Sequence, residues 1–211
     1  MRILVLGILF FGGSILAFGS VSGVVTVENG VSNKTPVVVY IEKAAEMPIK
    51  PALISAKMAQ KNETFLPESL VVIKGQKIDF PNQDQVFHNI FSVTPGNEFD
   101  LGLYRGGVSK SIEMQTAGEV NVYCNIHPNM EAKILVLQNP FYTTISSDGT
   151  FKISDIPGGD YTLVAWSALH EPIKKRVSVY QGNISGLDFK LKLRSKIRHL
   201  NKNGEQYGRY K

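Results

Sequence analysis

Short β-branched and alternating runs recur along the chain, among them Val24-Val25-Thr26-Val27, Val37-Val38-Val39-Tyr40-Ile41, Leu70-Val71-Val72-Ile73 and Lys133-Ile134-Leu135-Val136-Leu137, while no stretch sustains apolar residues at helical spacing. Runs of this kind fit a pleated sheet surface and not a helix face. Turn signals punctuate them at Glu28-Asn29-Gly30, Ser147-Asp148-Gly149 and Pro157-Gly158-Gly159-Asp160. The predicted class is all-β. A chain of 211 residues exceeds what one small sandwich requires, so two domains are expected.

One cysteine, Cys124, stands in Tyr123-Cys124-Asn125-Ile126-His127-Pro128-Asn129-Met130. A soft thiolate, an imidazole and a thioether from one tight loop are the ligands a mononuclear copper site uses to carry single electrons. A fourth ligand is then needed from elsewhere. His88, in Phe80-Pro81-Asn82-Gln83-Asp84-Gln85-Val86-Phe87-His88-Asn89-Ile90, lies far enough upstream for several strands to return it across a sandwich. The bland alternative for Cys124 is a buried, inert small hydrophobe.

The strings His88-Asn89 and Cys124-x-x-His127-x-x-Met130 resemble the cupredoxins, the plastocyanin and amicyanin family of blue-copper electron carriers. The two-residue gap before the methionine, with Pro128 after the histidine, is similar to amicyanin, and Tyr123 before the cysteine is plastocyanin-like. The resemblance covers roughly residues 60–138. It implies a Greek-key sandwich binding one copper ion, with His88, Cys124 and His127 as a trigonal set and Met130 as a weak axial ligand. By the same resemblance Asn89 hydrogen-bonds the backbone near Cys124, and the His127 edge faces a partner. Tyr123 either assists electron passage or fills the core. Glu131, next to Met130, becomes the axial ligand if the methionine is turned away; Asp84 has no role beyond shaping its turn. Four histidines are too few for the trinuclear cluster of a multicopper oxidase.

A second resemblance begins at Asp148-Gly149-Thr150-Phe151 and continues through Ile156-Pro157-Gly158-Gly159-Asp160-Tyr161-Thr162-Leu163, which is similar to carboxypeptidase regulatory-like, or transthyretin-like, modules. Thr143 to Ile153 reads as a hairpin turning at Asp148-Gly149, followed by a strand over Tyr161 to Trp166. The opening strands of such a module occur at the other end of the chain, in Gly23-Val24-Val25-Thr26 and Pro36 to Ile41. The expectation is therefore a cupredoxin domain, 47–138, inserted into a small Ig/transthyretin-like β-sandwich made of 20–46 and 139–193, with Ala44 to Asn62 as the entry linker. This arrangement, the Asp100-Leu101-Gly102-Leu103-Tyr104 segment and the Cys-Asn-Ile-His core resemble bacterial methylamine-utilisation-like cupredoxins. The outer module is read as a scaffold or docking surface.

Ile3 to Phe18 is an apolar run behind Arg2, ending in Ala17-Phe18-Gly19. It reads as a secretory signal over 1–19, cut before Ser20, and is short of the roughly 20 residues a bilayer span requires. The expected location is periplasmic or secreted, where a lone thiol needs a partner such as a metal. The net charge of +5 belongs to the tail, 194–211, where Arg194, Lys196, Arg198, Lys202, Arg209 and Lys211 face only Glu205. That segment is expected to lack fixed structure. It serves solvation, or weak contact with an acidic partner or membrane. His170 is expected in a surface turn and His199 in the tail, both structural or solvated. Nothing resembles a nucleophile elbow, a phosphate loop or a nucleic-acid module. The leading expectation is a non-enzymatic, exported copper protein exchanging electrons with a protein donor and acceptor. Alternatives are copper storage, delivery or sensing through the same residues, or a binding and assembly module with a degenerate site.

Overall fold

The computed structural model describes residues 18–30, 35–43, 55–180, 182–195 and 201–205. The expected leader lies outside the described residues as far as position 17, and the linker from 44 to 54; His199 lies outside them too. Phe18 and Gly19 already belong to a strand.

In chain order the strands are β1 Phe18–Val27, β2 Val38–Ile41, β3 Ala56–Lys57, β4 Ala59–Lys61, β5 Thr64–Leu66, β6 Ser69–Ile73, β7 Lys77–Pro81, β8 His88–Ser92 and β9 Phe99–Tyr104. They continue with β10 Ser109–Glu113, β11 Gly118–Cys124, β12 Glu131–Leu137, β13 Tyr142–Thr144, β14 Thr150–Pro157, β15 Gly159–Ser167, β16 His170–Val179 and β17 Gly182–Leu191. The described part of the chain is thus all-β.

Strands from the two ends of the chain pair with each other in two sheets, ordered β14-β1-β17 and β13-β2-β15-β16. Strands from the middle form a five-stranded sheet, β6-β12-β11-β8-β9, a three-stranded sheet, β10-β7-β3, and the ribbon β4-β5. Burial follows the same division. Val21, Val39, Ile41, Phe151, Leu163 and Phe189 share one core, whereas Phe80, Ile90, Val122, Cys124, Met130 and Ile134 share another.

The run Ile134-Leu135-Val136-Leu137 has no polar alternation because both of its faces are buried. Ile134 and Val136 point into the middle core, while Leu135 and Leu137 join Trp166 and Ala168 in a third cluster that also takes in Tyr40, Val71 and Ile73. A strand covered on both sides reads as a continuous apolar run. That third cluster joins the back of the five-stranded sheet to the back of the β2/β15 sheet.

The expected Thr143–Ile153 hairpin is instead a corner between two sheets. The turn closes, with Gly149 N–H donating to Ser146 O at 2.9 Å and Ser146 N–H to Thr150 O at 2.8 Å, but β13 then pairs with β2 and β14 with β1. Gly149, at φ +86°, lies so close to β1 that an added Cβ would sit 2.7 Å from Val25 O. Only glycine adopts that backbone and that approach together without strain.

Polar groups reinforce the third cluster. Glu119 accepts hydrogen bonds from Arg194 Nη1 and Nη2 at 2.8 and 3.0 Å, from Lys133 Nζ at 2.6 Å and from Trp166 Nε1 at 2.6 Å. The arginine fork matches the carboxylate geometry and adds direction as well as charge. Arg194 also donates through Nε to His170 O at 2.9 Å. His170, expected in a surface turn, is buried: its Nε2 lies 3.1 Å from Glu28 O and its Nδ1 3.3 Å from Ser167 Oγ. It is structural but interior.

Burial pushes the Glu119 carboxyl up, yet the bonds from Arg194, Lys133 and Trp166 outweigh it and hold the group below its ordinary 4.5. A depressed carboxyl stabilises the fold fully above its unfolded value and loses that contribution as pH falls through the folded one. Acid titration followed by the fluorescence of Trp166, the only tryptophan, is expected to show stability falling below about pH 4.5, and Glu119→Gln to flatten that dependence.

Candidate metal centre

Three turns of chain converge at one end of the middle unit. β8 opens at His88, β11 closes at Cys124, and the loop between β11 and β12 carries His127 and Met130. The loop is stapled at its base, Cys124 N–H donating to Met130 O at 3.1 Å and Met130 N–H to His127 O at 3.0 Å. Cys124 sits opposite Ile90 in register, two residues into β8 from His88.

This brings three donor atoms together. Cys124 Sγ lies 3.8 Å from His88 Nδ1 and 3.6 Å from His127 Nδ1, and the two nitrogens are 3.0 Å apart. Atoms so spaced lie on a circle of about 2.0 Å radius, close to the roughly 2.0–2.3 Å of metal–imidazole and metal–thiolate bonds. Among the described residues these three form the group of His, Cys and acidic side chains able to hold a metal ion. His88 and Cys124 are fully buried, whereas the His127 side chain is 22% exposed. Met130 is 1% exposed in the cluster containing Cys124. Glu131 is exposed and pairs in register with Tyr123. Burial therefore separates the two neighbours: Met130 is enclosed with Cys124, whereas Glu131 opens β12 on the exposed side.

Burial raises the Cys124 thiol, but the His88 ring and the backbone N–H groups of Asn89, Ile126 and His127 outweigh it and favour thiolate. Burial disfavours the charged His88 ring, yet Cys124 and Asp84 raise it overall. His127 is lowered, first by burial and then by His88. A thiolate is the metal-binding form of cysteine.

Asp84 carries a role beyond shaping its turn. Its Oδ2 lies 2.9 Å from His88 Nε2, and a carboxylate only accepts, so the ring proton is assigned to Nε2 and Nδ1 is left to face Cys124. The same carboxylate accepts N–H from Asn62 at 2.6 Å and from Glu63 at 3.0 Å, fixing the β4–β5 turn beside the centre. There Glu63 Oε2 stands 3.9 Å from His127 Nε2. A Cβ on Gly106 would run into the Asp84 carbonyl, so the chain approaches as closely as it does only with glycine. Asp84→Asn replaces an acceptor oxygen by a donor among three N–H groups. Outer hydrogen bonds of this kind are commonly worth about 10–100-fold in metal affinity; a loss in that range is expected in a metal competition titration.

Asn89 ties the segments carrying His88 and Cys124 together, but through its backbone. Its carbonyl accepts Asn125 N–H at 2.9 Å and its N–H points to the Cys124 sulfur. The side-chain amide turns away, donating to Asp100 Oδ1 at 2.6 Å. Tyr123 packs on Phe91 with ring centroids 5.7 Å apart. Phe87 and Ile126, the apolar neighbours of His88 and His127 in sequence, are 51% and 36% exposed and so do not cover the centre.

No family model and no curated protein matches this chain. Among solved structures it is similar over part of its length to the copper-containing nitrite reductase of Thermus scotoductus SA-01, at 20% identity and TM-score 0.39, covering 46% of this chain and 26% of that one. The chain thus spans about a quarter of that enzyme. A purple cupredoxin from Nitrosopumilus maritimus is similar at 21% identity and TM-score 0.36, over 39% of this chain and 99% of that one. A variant of amicyanin in its reduced state is similar at 21% identity and TM-score 0.36, over 46% of this chain and 97% of that one.

Proposed function

We propose that this chain is an exported mononuclear copper protein that passes single electrons between a protein donor and a protein acceptor, with no substrate chemistry of its own. The observation that carries the reading is the triangle of His88 Nδ1, Cys124 Sγ and His127 Nδ1, whose spacing suits one metal ion bonded to all three. Two imidazoles and one thiolate, with a buried thioether beside them, form the donor set associated with copper electron-transfer centres. Copper held there supplies a one-electron Cu(I)/Cu(II) couple.

The residues of the chain do the rest. Asp84 holds the His88 ring in the tautomer that presents Nδ1, and the N–H groups of Asn89, Ile126 and His127 direct themselves at the thiolate. His88 and Cys124 exclude water, while the partly exposed His127 edge offers electrons a short way out. Met130 is the fourth ligand in this reading, supported by its burial beside Cys124 and by the outward position of Glu131. The middle unit, 47–138, is the copper domain, and the strands of 20–46 and 139–193 form the scaffold around it.

The test is an absorption and electron paramagnetic resonance spectrum of the copper-loaded protein. A strong visible charge-transfer band that disappears on reduction and returns on oxidation is the expected result. A colourless loaded protein would sink the proposal, and a band without a reversible redox wave would leave copper delivery as the better reading.

A further inference from the structure

Residues 201–205 do not trail away from the body; they lie against the ligand loop. Lys202 N–H donates to Asn125 Oδ1 at 3.2 Å, and Lys202 Nζ reaches Asp100 Oδ2 at 2.7 Å. Asp100 accepts the Asn89 amide on its other oxygen, and Asn89 O accepts Asn125 N–H. Four residues therefore close a ring: Asn125 to Asn89, Asn89 to Asp100, Asp100 to Lys202, and Lys202 back to Asn125. Asn89 is the neighbour of His88 and Asn125 the neighbour of Cys124, so the ring runs immediately behind two of the three donor residues.

The tail segment is held in a turn by its own hydrogen bonds. Asn201 Oδ1 accepts N–H from Asn203 at 3.0 Å and from Glu205 at 2.9 Å, while Asn201 N–H donates to Glu205 O at 2.8 Å. A turn stapled by its own first residue gives up little conformational freedom on docking. Asp100 is itself fixed by Gly102 N–H at 2.8 Å. The lysine thus meets a carboxylate already held by two other donors, and one residue bridges the ligand loop and β9.

We propose that the turn 201–205 braces the ligand loop, with Lys202 as a positioning residue that sets the spacing between the His88 and Cys124 segments. The proposal rests on the copper reading of the centre, but its primary consequence is a property of the metal-free chain. With the ring closed, the Asn125–Asn89 bond is sheltered from opening. With it broken, that side of the loop keeps that bond, the Asn89 N–H to the Cys124 sulfur and the register of Cys124 with Ile90, without the outer brace.

The experiment compares full-length Lys202→Glu and Lys202→Arg with the parent. In the metal-free proteins, amide hydrogen exchange read by NMR is expected to speed about five- to tenfold at Asn125 in Lys202→Glu, the scale of an exposed ion pair lost and reversed. Val122 and Ile134 in the core serve as controls and stay unchanged, and Lys202→Arg remains within about twofold of the parent because it keeps the charge. Copper-loaded Lys202→Glu is expected to release the metal to a chelator several-fold faster. Unchanged exchange at Asn125 in Lys202→Glu overturns the brace, whatever the copper spectrum shows. Faster exchange at Asn125 with no visible band in any loaded variant upholds the brace and sinks the copper reading instead.

Discussion

Cys124→Ser is expected to abolish the visible band of the copper-loaded protein and to weaken metal binding by more than the roughly hundredfold upper range seen when an outer hydrogen bond is lost. The chain contains one cysteine, so no other thiolate can replace it. The fold should survive. Serine is close to cysteine in size, and the N–H groups of Asn89, Ile126 and His127 that face the sulfur remain available to its oxygen. Burying a hydroxyl that keeps hydrogen-bond partners costs about 1–2 kcal/mol. Denaturant unfolding of the metal-free variant measures that cost separately from spectroscopy of the loaded form. A loaded serine variant that kept the band would mean that the colour arises elsewhere.

Trp166→Ala has the second large effect, and it falls on stability. The side chain is 1% exposed, fills the cluster between the two back-to-back sheets, and donates Nε1–H to Glu119. Loss of a buried tryptophan costs about 3–5 kcal/mol, or roughly 6–20 °C in Tm for a chain of this size. The loss should be concentrated where the two sheets meet. Calorimetry is expected to show two separated transitions for the variant, because Trp166 is the largest side chain of the cluster and what remains is Leu135, Leu137 and Ala168 with Tyr40, Val71 and Ile73, beside the Glu119–Arg194 pair. A variant that still unfolds in one step near the parent temperature would show that the cores are coupled by some other route.

The all-β class was legible because β-branched runs and glycine turns act over a few residues. The approach of Cys124 to His127 was legible because two donors three positions apart on one loop are close in sequence as well as in space, and Met130 lies buried at the end of the same loop. His88 required only the assumption that a strand returns to that loop. Asp84 was not legible as a partner of His88, since their contact depends on how the 82–87 loop folds and no periodicity governs it. Asn89 was expected to tie the ligand segments and does so with its backbone, a choice that the residue's identity does not determine. The corner at Asp148-Gly149 has the same turn chemistry as a hairpin; which sheet each flanking strand joins is settled by packing far away. Arg194 and Lys202 looked like members of a solvated basic tail. Their partners, Glu119 and Asp100, lie 75 and 102 positions upstream, and charge patterning cannot see that far.

The parallel pairing of β1 with β17 has a mechanical consequence. It runs from Gly19 opposite Gly182 to Val27 opposite Leu191, so tension applied through the two ends of the chain pulls β1 at Phe18 and β17 at Leu191, in opposite directions along neighbouring strands. Once the Lys202 contacts with Asn125 and Asp100 and the Arg194 anchor on Glu119 have parted, the rungs between these strands carry the force together in shear, without unzipping one at a time. The route from one end to the other crosses directly from β1 to β17. With those tail contacts released, strands β3 to β12, with Cys124 and its neighbours, lie outside that route and are mechanically shielded until it fails, which single-molecule pulling would record as a high rupture preceding any extension of the middle segment.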